Sequence, residues 1–190
     1  MKRIGILGGT FDPPHYGHLL IAEEVRKELT LDEVWFMPSH IPPHKIRNDL
    51  SSSEDREKMV TLAIEDNQHF ILSTIELERK GRSFTIDTMR QLTKDHPTAS
   101  FYFIVGGDMV DQLDNWVEIE QLLTLVTFVG LRRPKYNSDS PYKKNIIEID
   151  VPQLDISSSL IRERKRDGKN IKYLIPESVR KYICERGLYE

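Results

Sequence analysis

Gly8-Gly9-Thr10-Phe11-Asp12-Pro13-Pro14-His15-Tyr16-Gly17-His18 is the stretch on which the reading of this chain turns. It follows the apolar run Ile4-Gly5-Ile6-Leu7, which reads as a buried strand. It leads into Leu19-Leu20-Ile21-Ala22-Glu23-Glu24-Val25-Arg26-Lys27-Glu28-Leu29, whose apolar residues recur near the helical period. The segment is therefore a strand, a glycine turn and a helix start, with two imidazoles at the turn. In an α/β sheet such a turn lies at the carboxyl ends of the strands, where phosphate-bearing ligands bind. Exposed backbone N–H groups and the positive end of the helix dipole both favour an anion there.

Two familiar nucleotide motifs fail against this turn. Gly5-Ile6-Leu7-Gly8-Gly9 is not Gly-x-Gly-x-x-Gly, and no Gly-Lys-Ser/Thr closes a P-loop. What remains is a pair of glycines, whose missing Cβ atoms let a phosphate come close, and His15-x-x-His18. With His15 at the helix start, His18 lies one turn later and both rings can face the same side. Imidazole N–H donors aimed at a phosphoryl group stabilise the charge that builds on it during displacement. A structural role for one ring, and chelation of zinc by His15, His18, His40 and His44, are the alternatives; no cysteine or acidic cluster accompanies the four.

Outward from the turn, apolar runs alternate with amphipathic segments. Strands are expected at 3–7, 33–37, 70–77, 100–105, 126–131 and 146–149, and helices at 17–29, 54–67, 85–95, 109–125, 157–166 and 176–186. Ser51-x-x-Glu54 matches a capping box, and Ile86, Met89 and Leu92 share one helix face. This alternation predicts an α/β fold of doubly wound, Rossmann-like type: a mostly parallel sheet with helices on both faces and a small helical C-terminal portion. Residues 38–53 and 132–145 read as long loops, the first carrying His40, His44 and Lys45. With no repeat and no linker, one domain over 1–190 is expected.

Composition bounds the function. A chain of 190 residues, 38% hydrophobic and 30% charged, is that of a soluble globular domain. A net charge of −3 gives no basic footprint for nucleic acid. No apolar run nears the roughly 18 residues that span a bilayer, and the opening strand is not a signal peptide, so no membrane partner is expected. Cys184 is the only cysteine, which fits a cytoplasmic setting; it reads as a small apolar residue on a helix face. Arg162, Arg164, Lys165 and Arg166 form a cationic stretch able to meet phosphates, or a solvated helix face.

Gly8-Gly9-Thr10-Phe11-Asp12-Pro13-x-His15-x-Gly17-His18 resembles the signature of the nucleotidyltransferase superfamily, and Ile156-Ser157-Ser158-Ser159-x-x-Arg162 resembles that superfamily's second signature. Ser83-Phe84-Thr85-x-Asp87-Thr88, Gly106-Gly107-Asp108, Trp116, Pro42-Pro43-His44-Lys45, Tyr173-Leu174-Ile175-Pro176 and Gly187-Leu188-Tyr189 are similar to segments of bacterial nicotinate-nucleotide adenylyltransferases. Ser159 stands where threonine is commoner, and Val117 where an aromatic is frequent.

The resemblance implies an enzyme of NAD biosynthesis that joins nicotinate mononucleotide to ATP, releasing nicotinate adenine dinucleotide and pyrophosphate. It implies catalytic roles for His15, His18 and Arg162. It implies ATP and phosphate contacts at Gly8, Gly9, Thr10, Phe11, Lys45, Gly106, Asp108, Ile156, Ser157 and Ser158. Thr85, Trp116 and His44 would hold the mononucleotide. Mg²⁺ would arrive with ATP, no metal would be held by the protein, and a homodimer is compatible with the family. Read from the residues alone, Trp116 is equally core packing, and Thr85 and Asp108 are equally helix caps.

Overall fold

A computed structural model describes residues 1–40, 50–79, 81, 83–132 and 140–190, leaving the side chain of Asp108 aside. Its centre is a sheet of six strands: β1 (Lys2–Gly9), β2 (Glu33–Pro38), β3 (Phe70–Leu72), β4 (Ala99–Gly106), β5 (Thr127–Arg132) and β6 (Ile146–Asp150). All pairings are parallel, in the order β3-β2-β1-β4-β5-β6. The chain leaves β1 toward one edge and returns through β4 toward the other, so the order reverses between these two neighbours. That reversal opens a crevice above their carboxyl ends, the place where doubly wound sheets take ligands.

Helices cover both faces, as the alternation along each strand requires. The helices are α1 (Tyr16–Glu28), α2 (Ser53–Ile64), α3 (Ile75–Arg79), α4 (Thr85–Asp95), α5 (Gly107–Val110), α6 (Ile119–Leu125), α7 (Ser158–Arg166) and α8 (Glu177–Arg186). On one face Leu7, Val34, Phe36 and Ile104 meet Ala22 and Val25 of α1, Met59 and Val60 of α2, Ile161 of α7 and Val179 and Ile183 of α8. On the other Ile4, Ile6, Phe101, Phe103 and Phe128 meet Ile86, Met89 and Leu92 of α4 and Ile119 and Leu122 of α6. Neighbours in sequence thus serve opposite layers, which is the period of two of an extended strand.

Three sequence expectations are corrected. The strand expected at 70–77 stops at Leu72, because Thr74 begins α3: its carbonyl accepts from Glu78 N–H at 2.9 Å and its hydroxyl bonds the Glu78 carboxylate. The helix expected at 109–125 is broken. Trp116 is extended (φ −80, ψ 137) and Glu118 is left-handed (φ 52), which lets the Trp116 ring turn in against Phe103 and Phe128. The cap of α2 is one residue later than expected: Ser52 Oγ accepts from Asp55 N–H at 3.0 Å and donates to the Asp55 carboxylate at 2.8 Å. Cys184 lies on α8 as expected, and is exposed. Among the described residues no helix is long and apolar enough to cross a membrane.

The cap correction gives a direct check. Ser52→Ala should cost about 1 kcal/mol in urea unfolding, because Ser52 satisfies an orphan N–H of α2.

Candidate active site

The turn after β1 stays open on the ligand side. Gly8 is exposed and Gly9 and Thr10 are half-buried. Phe11 is left-handed (φ 50) and turns its ring inward, edge-on to His18 at 5.0 Å and tilted against Phe36 at 5.7 Å. Phe11 as a whole residue is 1% exposed, so its ring does not face a ligand. Gly9 answers to the same packing, since a Cβ there would sit 3.1 Å from the Phe11 ring.

His15 is the N-cap of α1, with extended φ and ψ (−145, 168), and His18 is its third helical residue. The two rings stack with centroids 3.7 Å apart and planes 23° apart. Gly17 makes this stack possible: a Cβ there would lie 3.0 Å from His15 Nδ1 and 3.1 Å from its Cε1. The His15 N–H donates to His18 Nδ1 at 3.2 Å. An Nδ1 that accepts carries no proton, so neutral His18 holds its proton on Nε2 and can donate from there. Burial lowers the His15 pKa from 6.5 to about 4. Burial, and then the neighbouring His15, also push His18 well below the ordinary histidine range. At neutral pH the pair is therefore two uncharged imidazoles.

The second signature closes onto the first. Ser157 caps α7, its Oγ accepting from Leu160 N–H at 3.1 Å. Ser158 Oγ donates to the Pro13 carbonyl at 2.8 Å. Arg162, 7% exposed, donates from Nη1 to the Asp12 carbonyl at 2.6 Å and from Nη2 to Ser159 Oγ at 3.1 Å. Tyr16 N–H donates to the Leu174 carbonyl at 3.1 Å, tying the start of α1 to the segment before α8. Hydroxyl direction matters here. The Ser158 proton is used on Pro13, whereas Ser157 and Ser159 accept within the protein and keep their protons to donate outward. Ile156 is half-buried just ahead of them. A cleft of about 350 Å³ runs along α7 past Ser159, Arg162, Glu163, Arg166 and Asp167. The cationic stretch thus divides: Arg166 lines the cleft, Arg164 donates to the Asn170 carbonyl, and Lys165 pairs with Glu190 at 2.8 Å.

On the opposite face of the sheet stand Thr85 and Trp116, two of the residues expected to meet the mononucleotide. Trp116 is half-buried, edge-on to Phe103 at 5.7 Å and to Phe128 at 5.8 Å. The tip of Phe103 lies 3.4 Å from where a Gly8 Cβ would be, so one ring separates Trp116 from the glycine turn. Thr85 is the first residue of α4, whose N-cap is Phe84, so Thr85 is not the cap. Gly106 ends β4 and caps α5. His44 and Lys45 lie outside the described residues, as does the Asp108 side chain, so the four-histidine zinc set is described only in part. Among the described residues no three His, Cys, Asp or Glu side chains gather as a metal site.

Sequence reading missed four supporting residues. Asp12 is fully buried and accepts from the Tyr189 phenol at 2.7 Å. Burial and the Asp12 carboxylate push that phenol's pKa up. Arg56 is 1% exposed and bonds the Thr10 carbonyl at 3.0 Å. Glu76, buried behind the start of α4, accepts from Thr88 Oγ1 at 2.9 Å, and burial raises its pKa. Their surroundings in the sequence do not single them out: Arg56, the most buried of the cations, lies in the charged run Glu54-Asp55-Arg56-Glu57-Lys58.

The sequence profile of the cytidylyltransferase-like family matches residues 6–164. A Bacillus cytotoxicus protein named "Probable nicotinate-nucleotide adenylyltransferase" is 60% identical over 190 residues, covering 100% of both chains. One of the same name from Geobacillus thermodenitrificans is 56% identical over 189 residues, covering 100% of this chain and 87% of its own. The solved Plasmodium falciparum nicotinic acid mononucleotide adenylyltransferase complexed with NaAD superposes with a TM-score of 0.82 at 25% identity, over 100% of this chain and 98% of its own.

The histidine pair predicts a pH dependence. His15 holds fewer protons folded than unfolded, so its contribution to stability is complete above pH 6.5 and is lost as pH falls toward about 4. Urea unfolding of wild type should therefore lose on the order of 2–3 kcal/mol more across that window than His15→Asn does. Gly17→Ala should leave the protein folded and lower turnover about tenfold or more, because the added methyl displaces the His15 ring.

Proposed function

This chain belongs to the cytidylyltransferase-like family and, within it, to the nicotinate-nucleotide adenylyltransferases, and on that footing we propose how its site carries out adenylyl transfer. The enzyme joins nicotinate mononucleotide and ATP, giving nicotinate adenine dinucleotide and pyrophosphate in NAD biosynthesis. A phosphate oxygen of the mononucleotide attacks the α-phosphorus in line. The new P–O bond forms as the bond to the bridging α–β oxygen breaks, and pyrophosphate carries the electron pair away. The attacking phosphate is already ionised at neutral pH, so no protein nucleophile or strong base is required. Catalysis rests on alignment and on charge stabilisation.

The residues divide the work by chemistry. The Nε2–H of neutral His18 is a donor for the α-phosphoryl oxygens, and His15 holds that ring by stacking and through its N–H. Arg162, the outward hydroxyls of Ser157 and Ser159, and the first amides of α7 hold the β- and γ-phosphates. Ser158 acts from behind, on Pro13. Gly8, Gly9, Thr10 and the Phe11 backbone line the turn, with Ile156 beside the α7 start. Gly106 and Asp108 meet the ribose, Thr85 and Trp116 receive the nicotinate ring, and His44 and Lys45 reach the ligands from the long loop. The observation that carries this reading is the clasp itself: Arg162 on the Asp12 carbonyl and Ser158 on the Pro13 carbonyl bring both signatures to one crevice.

Mg²⁺ fits as an ion brought by ATP. The site offers mainly N–H and O–H donors, and the Asp12 carboxylate is taken up by Tyr189. Phosphate oxygens and water would hold the ion, which supplies neutralisation of phosphate charge.

Pure protein mixed with ATP, Mg²⁺ and nicotinate mononucleotide should form dinucleotide and pyrophosphate in equal amounts; release of neither would remove the assignment. His18→Ala should lower kcat by about 10²-fold or more, and an unchanged kcat would return His18 to a structural role.

A further inference from the structure

The largest buried group that the reaction does not use is Arg56, in the first turn of α2. Its guanidinium makes five hydrogen bonds and is 1% exposed. Nε donates to the Ser51 carbonyl at 3.3 Å. Nη1 donates to the Thr10 carbonyl at 3.0 Å and the Ser39 carbonyl at 2.6 Å. Nη2 donates to the His40 carbonyl at 3.1 Å and to Ser53 Oγ at 3.4 Å. A cation taken out of water is costly unless its donors are met, and here they are met by main-chain oxygens of three separate segments. Such an arrangement fixes backbone, and two of those segments border the crevice.

Peptide planarity turns this into a statement about donors. The Thr10–Phe11 and Ser39–His40 bonds are trans, so each N–H points opposite to the carbonyl of the same unit. Drawing the Thr10 and Ser39 carbonyls toward Arg56 therefore aims the Phe11 and His40 N–H groups away from it. Neither N–H finds an acceptor among the described residues. Phe11 is also the left-handed residue of the turn, a conformation its Cβ opposes. The carbonyls on its two sides are held by two guanidiniums, Arg56 on Thr10 and Arg162 on Asp12.

We propose that Arg56 is a positioning residue for adenylyl transfer: it holds the Thr10 and Ser39 carbonyls inward and so presents the Phe11 and His40 amides to the phosphate chain of the nucleotide. The proposal rests on the nucleotide site described above. Lysine keeps the charge of arginine but has no planar fork to reach four carbonyls at once. Amides that bind phosphate equally in ground and transition state act on KM.

Arg56→Lys should therefore raise the KM for ATP about tenfold or more while kcat stays within about threefold of wild type. A lowered melting temperature with unchanged kinetics, or a loss confined to kcat, overturns the proposal. A second measurement needs no variant. In wild type, the amide resonances of Phe11 and His40 should shift on titration with inorganic pyrophosphate; if neither moves, the proposal falls, even where Arg56→Lys does not fold. Wild type that forms no dinucleotide removes the reaction itself, a result separate from active wild type with an indifferent Arg56→Lys.

Discussion

The 2.6 Å hydrogen bond from Arg162 to the carbonyl of Asp12 holds the active site together. It joins residues 150 positions apart in sequence. One end lies on α7, the other in the turn that follows the central strand. Ser158 on the Pro13 carbonyl doubles the contact, and the cap at Ser157 fixes where α7 begins. Because the acceptors belong to the turn's own backbone, the phosphate-binding segment and the helix that completes it take up one geometry together. A guanidinium used in this way is already oriented, and Arg162 is among the residues that line the cleft along α7. Preorganised donors of this kind need little rearrangement as charge develops on a ligand.

Electrostatics in the crevice follow from what is buried. Two stacked imidazoles, both held neutral by burial, face a region bordered by two buried guanidiniums and the open start of a helix. Like charges on rings 3.7 Å apart would repel strongly, so the stack is stable only while at least one ring is neutral. The arrangement gives hydrogen-bond donation from His18 and fixed positive charge from arginine, rather than a proton exchanged at neutral pH. Asp12 is the counterweight: its carboxylate, under the Tyr189 phenol, lies within the field of Arg56.

Much of the fold was legible. Helix 85–95 is found with the expected bounds, and β1, β2, β4 and β5 differ from expectation only at their ends. Strong periodicity and long apolar runs explain that success. The failures share a cause. At 70–77 and 109–125 the apolar residues continue while the backbone changes state. Thr74 starts a new helix with its own carbonyl and hydroxyl, and Trp116 leaves helical geometry to join two phenylalanines across the sheet. Thr85 looked like a cap from its residue type, but the chain turns one residue earlier, at Phe84.

Sequence by itself determined the strand-turn-helix unit, the doubly wound class, the paired signatures and the family they belong to, because these are written in side-chain type and spacing. Tertiary structure alone decided which serine donates outward, why both histidines stay neutral, and that Arg56 belongs beside the glycine turn. The reason is physical. The oxygens that fix Arg162, Ser158 and Arg56 are mostly main-chain carbonyls, which every residue carries alike, so the partners of these side chains leave no mark in the order of amino acids.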